Sequence, residues 1–534
     1  MTVRQFIRSS AVLLVCLHPR RSVAQATTNP QVDASVLPRG IGAARMLSSW
    51  TRSDELFGSA PGLNGIPRNI AYSLNTDSVT SLAAPQLAPT ESAIRTLAAD
   101  PAFRLTAGNL VATANSRIVT APLILEYGLT RRLTIDAVVP LVETRSTVYG
   151  QLNPKLGAAN VGPNPSLTNT QLRASEAALV SSFRSAATLL SQRLTQCQAT
   201  PTPDCASLLA QQGAVQTLIQ TTGTTATAIE ALYGGDDAHP GQMFVPLAGS
   251  PIESVIESRI TALITQYQSL LPTVPITGTV AGAGGPGARI SMQQMLATVG
   301  RDSLQNPSRT SIGDVSLGAT FQVFNSFHDT TKTGSQARLA VHGEFRFATG
   351  EPAARNTLFD VPTGYGQGGI EVGAASDVLF NRHVSATVLA SYTAQLGSVS
   401  VARVAAPANL LLPLTSPVPG TFTAGNVASL SIIPRWRVAG YFVVDGQYAI
   451  TNIGADQYTP VTAVAGNAPL GAASATTQAV GFGFSYSTIG ISNPVPRVLP
   501  YEVSFSHLEM LYGSGGPTPK TFRDQVMLRV FLGR

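Results

Sequence analysis

The feature that most constrains this chain is a strict alternation of apolar and polar residues along short segments of its second half. In the segment ARLAVHGEFRF, which begins at Ala337, every second residue from Arg338 to Arg346 is polar or alanine, and the residues between them are apolar or glycine. A period of two indicates a β-strand whose two faces meet different surroundings. A soluble sheet packs its apolar face into a core, whereas a membrane barrel turns that face to lipid and its polar face to a lumen.

The same alternation returns at regular intervals to the C-terminus. It is found again in GDVSLGATFQVF, GGIEVGAASDVLF, HVSATVLASYTAQL, VASLSIIPRWR, GYFVVDGQY, QAVGFGFSYS, YEVSFSH and FRDQVMLRVFLGR. These segments predict nine strands from Gly313 onward. The hairpin VTAPLILEYGL and RLTIDAVVPLV adds two strands, and a weaker segment near Ile41 adds one. The sequence therefore predicts twelve strands, an even number as in single-chain bacterial barrels.

The connections between these strands alternate in length. Short ones fall at 129–132, 325–335, 381–382, 437–438 and 490–497, and long ones at 58–116, 149–311, 350–367, 397–425, 451–476 and, more modestly, 513–520. Outer-membrane barrels have short periplasmic turns and long extracellular loops. With the first strand near Ile41, every long connection falls at the same end. We therefore predict an all-β fold, an antiparallel up-and-down transmembrane β-barrel of about 12 strands with a helical extracellular insertion.

The first 26 residues have the pattern of a secretory signal peptide. A basic start with Arg4 and Arg8 precedes an apolar run from Ala11 to Leu17 and a small-residue site at 24–26. An uncleaved anchor or a different start codon is the alternative. Without the four arginines of this segment, 31 of the 35 basic residues remain against 29 acidic ones, so the charge predicts no nucleic-acid partner. No later run of 18 apolar residues predicts a membrane helix, which leaves a closed barrel as the spanning structure.

The connection 149–311 is too long to lack secondary structure. Apolar residues recur at helical spacing from Gln171 to Gln196 and again after Cys205. Cys197 and Cys205 flank a proline-rich turn, and in an exported chain we expect them to form a disulfide. A helical subdomain at the extracellular mouth follows, either as a cap or as a plug in the lumen. The predicted organisation is a signal peptide over 1–26, N-terminal barrel strands with the first long loop over 27–148, a helical insertion over 149–311 and the main barrel strands over 312–534.

The charged residues of the strands predict which face is inside. An arginine that faces mid-bilayer lipid costs about 2–4 kcal/mol, so these side chains belong to a water-filled lumen. Positive and negative side chains are mixed along that wall, which argues against a strongly ion-selective pore. The alternative to an open pore is a closed lumen in which these side chains form ion pairs. The predicted lumen-lining residues are Glu126, Asp136, Asp314, Arg338, His342, Glu344, Arg346, Glu371, Asp377, Arg435, Arg437, Asp445, Glu502, Arg523 and Arg529.

No catalytic, metal or cofactor site is predicted. The histidines that follow the signal peptide lie more than four residues from one another, whereas zinc sites and catalytic triads need convergent groups. His342 and Glu344 come closest to an acid–base pair, but such a pair is more typical of a polar lumen wall. The glycine-rich segment from Ala281 lacks the Lys-Ser/Thr ending of a phosphate loop. We therefore expect a protein that is not an enzyme.

Several blocks of the sequence resemble those of a known family. LEYGLTRRLTIDAVVPLV, GDVSLGATFQVF, the strand ending in FATGEP, and GYGQGGIEVGAASDVLF are similar to conserved blocks of the outer-membrane transporter-like barrels associated with the meta-cleavage pathway of phenol degradation. The resemblance covers roughly 117–142 and 312–400. It implies a barrel in the outer membrane of a Gram-negative-type bacterium that passes small, often aromatic or hydrophobic molecules. The large helical insertion and a C-terminus that runs past Phe531 depart from the family.

Two functions remain open at this point. The first is an outer-membrane channel or transporter that passes small molecules, hydrophobic or aromatic ones included, by passive diffusion. The second is a closed surface-display barrel whose helical insertion and long loops bind a partner. The expected partners are outer-membrane lipid, small-molecule solutes and the barrel-assembly machinery. Substrate and oligomeric state are not determined by the sequence.

Overall fold

The computed structural model describes residues 33–57, 65–154, 159–235, 238–284, 290–291, 306–327, 334–353, 359–403, 417–461, 473–489, 499–516 and 518–533. Twelve strands in these ranges form one sheet: β1 Gly42–Phe57, β2 Leu110–Gly128, β3 Leu133–Leu152, β4 Ser316–Asn325, β5 Gln336–Arg346, β6 Gly369–Leu379, β7 Val384–Gln395, β8 Val427–Ala439, β9 Phe442–Ile453, β10 Ala475–Ser487, β11 Tyr501–Gly515 and β12 Thr518–Leu532. Shorter strands outside this sheet are named below by their ranges.

The sheet is a closed antiparallel barrel. Each strand pairs with the next one along the chain, and β1 pairs with β2 on one side and with β12 on the other. The register of the seam runs from Gly42 opposite Leu532 to Phe57 opposite Thr518. The predicted fold class and the count of twelve strands are confirmed.

The connections separate the two ends of the barrel as expected, with one correction. Residues 58–109, 153–315, 347–368, 396–426 and 454–474 join strands at one end, here called the long-loop end. The opposite, short-turn end has the start of β1, the end of β12 and the connections 129–132, 326–335, 380–383, 440–441 and 488–500. In contrast, β11 ends and β12 begins at the long-loop end. The expectation of a moderately long loop over 513–520 is wrong. The β11 strand continues to Gly515, which pairs with Ala475 of β10, and β12 begins at Thr518, which pairs with Phe57 of the long β1.

The outward face of the barrel carries an apolar belt. On β3 this belt runs from Leu133 to Leu141, and beyond it the outward residues Glu143 and Arg145 are charged and exposed. That length suits the roughly 9–11 residues of a tilted membrane-spanning strand. Large apolar side chains are exposed around the whole circumference, among them Leu125, Val139, Phe321, Val341, Ile370, Tyr392, Ile432, Tyr448, Phe484, Val503 and Leu528.

A helical domain lies at the long-loop end. Its helices are α1 Ala88–Ala98, α2 Thr170–Ala199, α3 Ala206–Ala210, α4 Gln212–Tyr233 and α5 Pro251–Leu270. The Asn169 side chain caps α2 by accepting from the backbone N–H groups of Gln171 and Leu172, and Ser250 caps α5 by accepting from that of Glu253. Cys197 and Cys205 form a disulfide with their Cα atoms 5.4 Å apart. Among the described helices, none is long and apolar enough to cross a membrane.

Two separate connections build the core of this domain. The α1 helix belongs to the first long connection, yet it packs on α4 and α5 of the second. The same core includes Leu110 and Ala112 of β2 and Leu152 of β3. At the long-loop end of the hairpin, the inward faces of β2 and β3 are therefore part of this apolar core. The helices rest on this end of the hairpin, above the part of the barrel that carries the belt.

The helical domain buries an acidic side chain. Glu176 of α2 is fully buried, and burial raises its pKa to about 7. A folded state with a raised carboxyl pKa binds its proton more tightly than the unfolded chain does. The resulting stability is complete below about 4.5, the ordinary pKa of Glu, and is lost as the pH rises through about 7.

We therefore expect the helical domain to be less stable at pH 8 than at pH 5. At about 1.4 kcal/mol per pKa unit, the difference in unfolding free energy is at most about 3 kcal/mol. Glu176→Gln should remove most of this dependence, because the neutral amide does not titrate. The measurement is urea unfolding followed by circular dichroism at 222 nm. Glu230→Gln, which alters a half-exposed pair with Arg184, is the control and should leave the pH dependence in place. If the unfolding free energy of Glu176→Gln depended on pH as strongly as that of the unaltered protein, Glu176 would not be the group responsible.

Candidate channel lumen

A segment that precedes the first strand lies inside the barrel. Residues 33–40, here called the strap, cross the inward faces of β3 to β6 near the short-turn end. The backbone N–H of Ala34 donates to Asp377 Oδ2 (3.0 Å), and its carbonyl accepts from Gln322 Nε2 (3.2 Å). Farther along, the Leu37 N–H donates to Thr134 Oγ1 (2.8 Å). The strap therefore satisfies its backbone polar groups on the lumen wall.

Small residues make room for the strap. Ala34 packs against Ala340 of β5 and Ala375 of β6, and all three are fully buried. Where the strap leaves the lumen, the Gly40 N–H donates to the Gly128 carbonyl (2.8 Å). A Cβ at Gly128 would lie 2.1 Å from the Pro38 carbonyl oxygen, so only glycine permits this close approach.

Beside the strap, a buried carboxylate joins two arginines across the barrel seam. Glu126 of β2 accepts from Arg45 Nη2 of β1 (2.6 Å) and from Arg529 Nε of β12 (3.0 Å). Arg45 is 2% exposed and Glu126 9%. Arg529 also lies opposite Glu502 of β11. Charge-assisted bonds of this kind link the first, second and last strands of the barrel.

The connection 347–368 folds inward at the long-loop end. The Asp314 carboxylate accepts from the backbone N–H groups of Gly350 and Tyr365, both at 2.8 Å. The Arg346 guanidinium lies 4.2 Å from the centre of the Tyr365 ring and 3.7 Å from Asp314. Thr144 Oγ1 donates to the carbonyl of Val361 (2.9 Å). These contacts hold the described part of this connection against the inner wall.

The wall opposite the strap keeps contact with solvent. On β3 every inward residue from Thr134 to Leu152 is buried. On β8 every inward residue from Val427 to Arg437 retains partial solvent access, and the inward residues of β9 from Val443 to Ile453 do so as well. The inward side of β3 is therefore buried, whereas the inward sides of β8 and β9 keep partial solvent access along both strands.

The fifteen residues predicted to line the lumen all lie on the inward alternation, with Asp314 just before β4. The structure brings several of them together. Arg338 Nε donates a hydrogen bond to Asp377 Oδ2 (2.6 Å). Arg435 lies opposite Asp445 in the register of β8 and β9. Asp136 lies close to His342 and Glu344. Within the described ranges, the Arg437 and Arg523 side chains form no ion pair.

Sequence reasoning missed Arg45 and the strap. The segment around Arg45 reads GAARMLSSW. Its alternation of apolar and polar residues is too weak to show which side chains face inward. The strap has no periodicity at all, and its partner Asp377 lies 343 residues away. The buried carboxylates were the available signal, because each requires a cation or a donor inside the barrel.

Comparisons with known proteins give structural likeness alone. No family model and no curated protein matches this chain. Among solved structures, it is similar to an outer-membrane channel from Pseudomonas putida F1 (9% identity, 94% of this chain and 99% of that one, TM-score 0.40). It is also similar to the TodX deltaS2S3 mutant monoaromatic hydrocarbon channel (10%, 98% and 98%, TM-score 0.27) and to the translocator domain of the autotransporter NalP from Neisseria meningitidis (6%, 93% and 90%, TM-score 0.29). At these values the likeness bears on neither substrate nor mechanism.

Glu126→Gln should destabilise the barrel strongly. The change leaves Arg45 and Arg529 without their shared carboxylate, and breaking a buried ion pair from one side costs about 3–5 kcal/mol. The measurement is urea unfolding of the detergent-solubilised barrel, followed by the fluorescence of Trp50 on β1 and Trp436 on β8. The control is Glu143→Gln, an exposed outward carboxylate of the same hairpin, which should change the free energy of unfolding by less than about 0.5 kcal/mol. Equal effects of the two variants would show that the buried cluster does not stabilise the seam.

Proposed function

We propose that this chain is an outer-membrane β-barrel channel that passes small molecules by passive diffusion. A closed sheet with an apolar belt outside and charged residues inside suits a bilayer, because a barrel leaves no backbone group unpaired in lipid. The predicted signal peptide directs such a chain out of the cytoplasm. Outer-membrane lipid and the barrel-assembly machinery are its proposed partners.

The observation that carries this proposal is the accessible wall formed by β8 and β9. Inward residues at both ends of these strands, from Val427 and Ile453 at the long-loop end to Arg437 and Val443 at the short-turn end, keep partial solvent access. Arg435 and Asp445 lie opposite each other in the halves of these strands nearer the short-turn end. Water along the strip would hydrate their charges. A continuous accessible strip of this kind supports a path for solutes past the strap.

The chemistry of the strip bears on which solutes pass. Its uncharged inward side chains combine five small or polar ones with four aliphatic ones. They are Ser429, Ser431, Gln447, Ala449 and Thr451, and Val427, Ile433, Val443 and Ile453. Such a surface offers hydrogen bonds of both kinds and no dominant charge, which favours small neutral solutes. We include aromatic molecules in this proposal because of the resemblance to barrels of the phenol meta-cleavage pathway. Assignment to that pathway is part of the proposal.

The alternative is a closed barrel that displays the helical domain and long loops to a partner. The strap and the inward-folded connection 347–368 favour this alternative, since both occupy lumen space. The two functions differ in one measurable property, the conductance of the folded protein.

Purified protein in planar bilayers should conduct, and deletion of residues 27–37 should raise the conductance of each channel. The deletion removes the part of the strap that crosses the inward faces of β3 to β6, so the open cross-section increases. A matched control deletes 462–472, an equal number of residues in the connection between β9 and β10. This control should leave the conductance near that of the unaltered protein.

Heat-modifiable gel mobility should first establish that each variant is folded. Absence of current from the folded protein and from the strap deletion alike would overturn the channel proposal in favour of the closed barrel. If the protein conducts and the strap deletion leaves the conductance unchanged, the strap does not narrow the path, and the channel proposal stands.

A further inference from the structure

One cluster of lumen side chains has no role in the path proposed above. Asp136 of β3 and His342 and Glu344 of β5 each direct one ligand atom toward a common space, and these three atoms lie within 4.8 Å of one another. Gly318 of β4 lies between them in the sheet, opposite Asp136 on one side and Glu344 on the other. Glu371 of β6 lies directly opposite Glu344.

The atoms that converge here are buried and have no hydrogen-bond partner among the described residues. Asp136 is 7% exposed and His342 3%. Within the described ranges, no hydrogen bond is made by Asp136 Oδ2, His342 Nε2 or Glu344 Oε2. The distance between His342 Nε2 and Glu344 Oε2 is 3.7 Å, which is too long for a hydrogen bond. Leaving such groups unsatisfied in a protein interior costs free energy.

Nearby arginines do not neutralise the cluster. In the described part of the chain, neither Asp136 nor Glu344 forms an ion pair with an arginine or a lysine. Arg338 pairs with Asp377, and Arg346 contacts Asp314. Like charges on directly opposite residues of neighbouring strands destabilise a sheet, so Glu344 and Glu371 add to the need for a cation.

Gly318 keeps the space open. An added Cβ at this position would lie 2.6 Å from Asp136 Oδ2 and 2.8 Å from His342 Cε1, so both side chains would have to move apart. The glycine therefore allows the carboxylate and the imidazole to meet over the β4 backbone.

The imidazole is held in a suitable orientation by Thr320. His342 Nδ1 lies 2.9 Å from Thr320 Oγ1. With the proton on Nδ1 donated to this hydroxyl, Nε2 presents its lone pair to the space shared with Asp136 and Glu344. Histidines that bind metals commonly have their second nitrogen fixed in this way.

We propose that Asp136, His342 and Glu344 form a divalent metal site in the lumen wall and that it takes Zn²⁺. Imidazole nitrogen with carboxylate oxygen is a donor set that suits Zn²⁺, whereas Ca²⁺ and Mg²⁺ prefer oxygen ligands alone. Bond lengths of about 2.0–2.2 Å and tetrahedral angles place the ligand atoms of one Zn²⁺ about 3.3–3.6 Å apart. Side-chain movements of up to about 1.5 Å therefore close the site. The sequence predicted no metal site, because Asp136 meets His342 and Glu344 only through the register across β4.

The test is Zn²⁺ binding by tag-free, detergent-solubilised protein that gel mobility shows to be folded. Isothermal titration with ZnCl₂ should give one ion per barrel, and Co²⁺ should give visible d–d absorption that Zn²⁺ displaces. Asp136→Asn and Glu344→Gln should each weaken binding by more than the ~10–100-fold typical of an outer-shell change. Thr320→Val should weaken binding within that range, since it removes only the partner of Nδ1.

Gly318→Ala provides a test that removes no ligand and no charge. Its methyl group occupies the space where Asp136 and His342 meet, so Zn²⁺ binding should be lost. Glu502→Gln, which removes another inward carboxylate away from the cluster, should bind like the unaltered protein.

Two results would overturn the proposal: no Zn²⁺ or Co²⁺ bound by the folded protein, or equal binding by Asp136→Asn, Gly318→Ala and Glu502→Gln. The readout is metal content and its spectrum, so this proposal does not rest on conduction. A barrel that binds Zn²⁺ without passing current would contradict the channel and leave the metal site standing.

Discussion

The structure depends on the closure of one hydrogen-bonded sheet through its first strand. Because β1 pairs with both β2 and β12, no edge strand remains in the barrel. An open edge in hydrocarbon would leave a row of backbone N–H and C=O groups unsatisfied, at several kcal/mol for each group. Closure also divides the surroundings of every strand into an outside and an inside. The alternation of the sequence follows directly from that division.

Closure places a large number of charged side chains in a confined space, and the barrel deals with them in three ways. Across the seam, Glu126 binds two arginines. Along β3 to β6, backbone groups of the strap and of the connection 347–368 bind the carboxylates of Asp377 and Asp314. Along β8 and β9 the side chains keep access to solvent. The same wall therefore combines a packed side with a wet one, and this asymmetry underlies both proposals made above.

The sequence predicted the architecture well because a period of two repeats in every strand and the loops alternate in length. The residues predicted to line the lumen were assigned by parity, which decides the face of each residue in a strand. The sequence could not predict which charges meet, because partners such as Asp136 and His342 are joined only by the register across β4. The strap was missed for a related reason: its eight residues have no pattern of their own, and their contacts are made with distant strands. The contribution of Gly318 is that of an absent side chain, which no pattern of polarity reveals.

The position of the strap has a consequence for biogenesis. The strap immediately precedes β1, and β1 is also the strand that seals the barrel against β12, with Gly42 opposite Leu532. Pairing of residues so distant in the chain is slow, because the loop entropy is lost before the contacts form. Residues 33–40 must therefore enter while the cylinder is still a curved open sheet, or be threaded through it afterwards. The first route needs no threading. On that route, the pairing of β1 with β12 that closes the barrel would also enclose the strap.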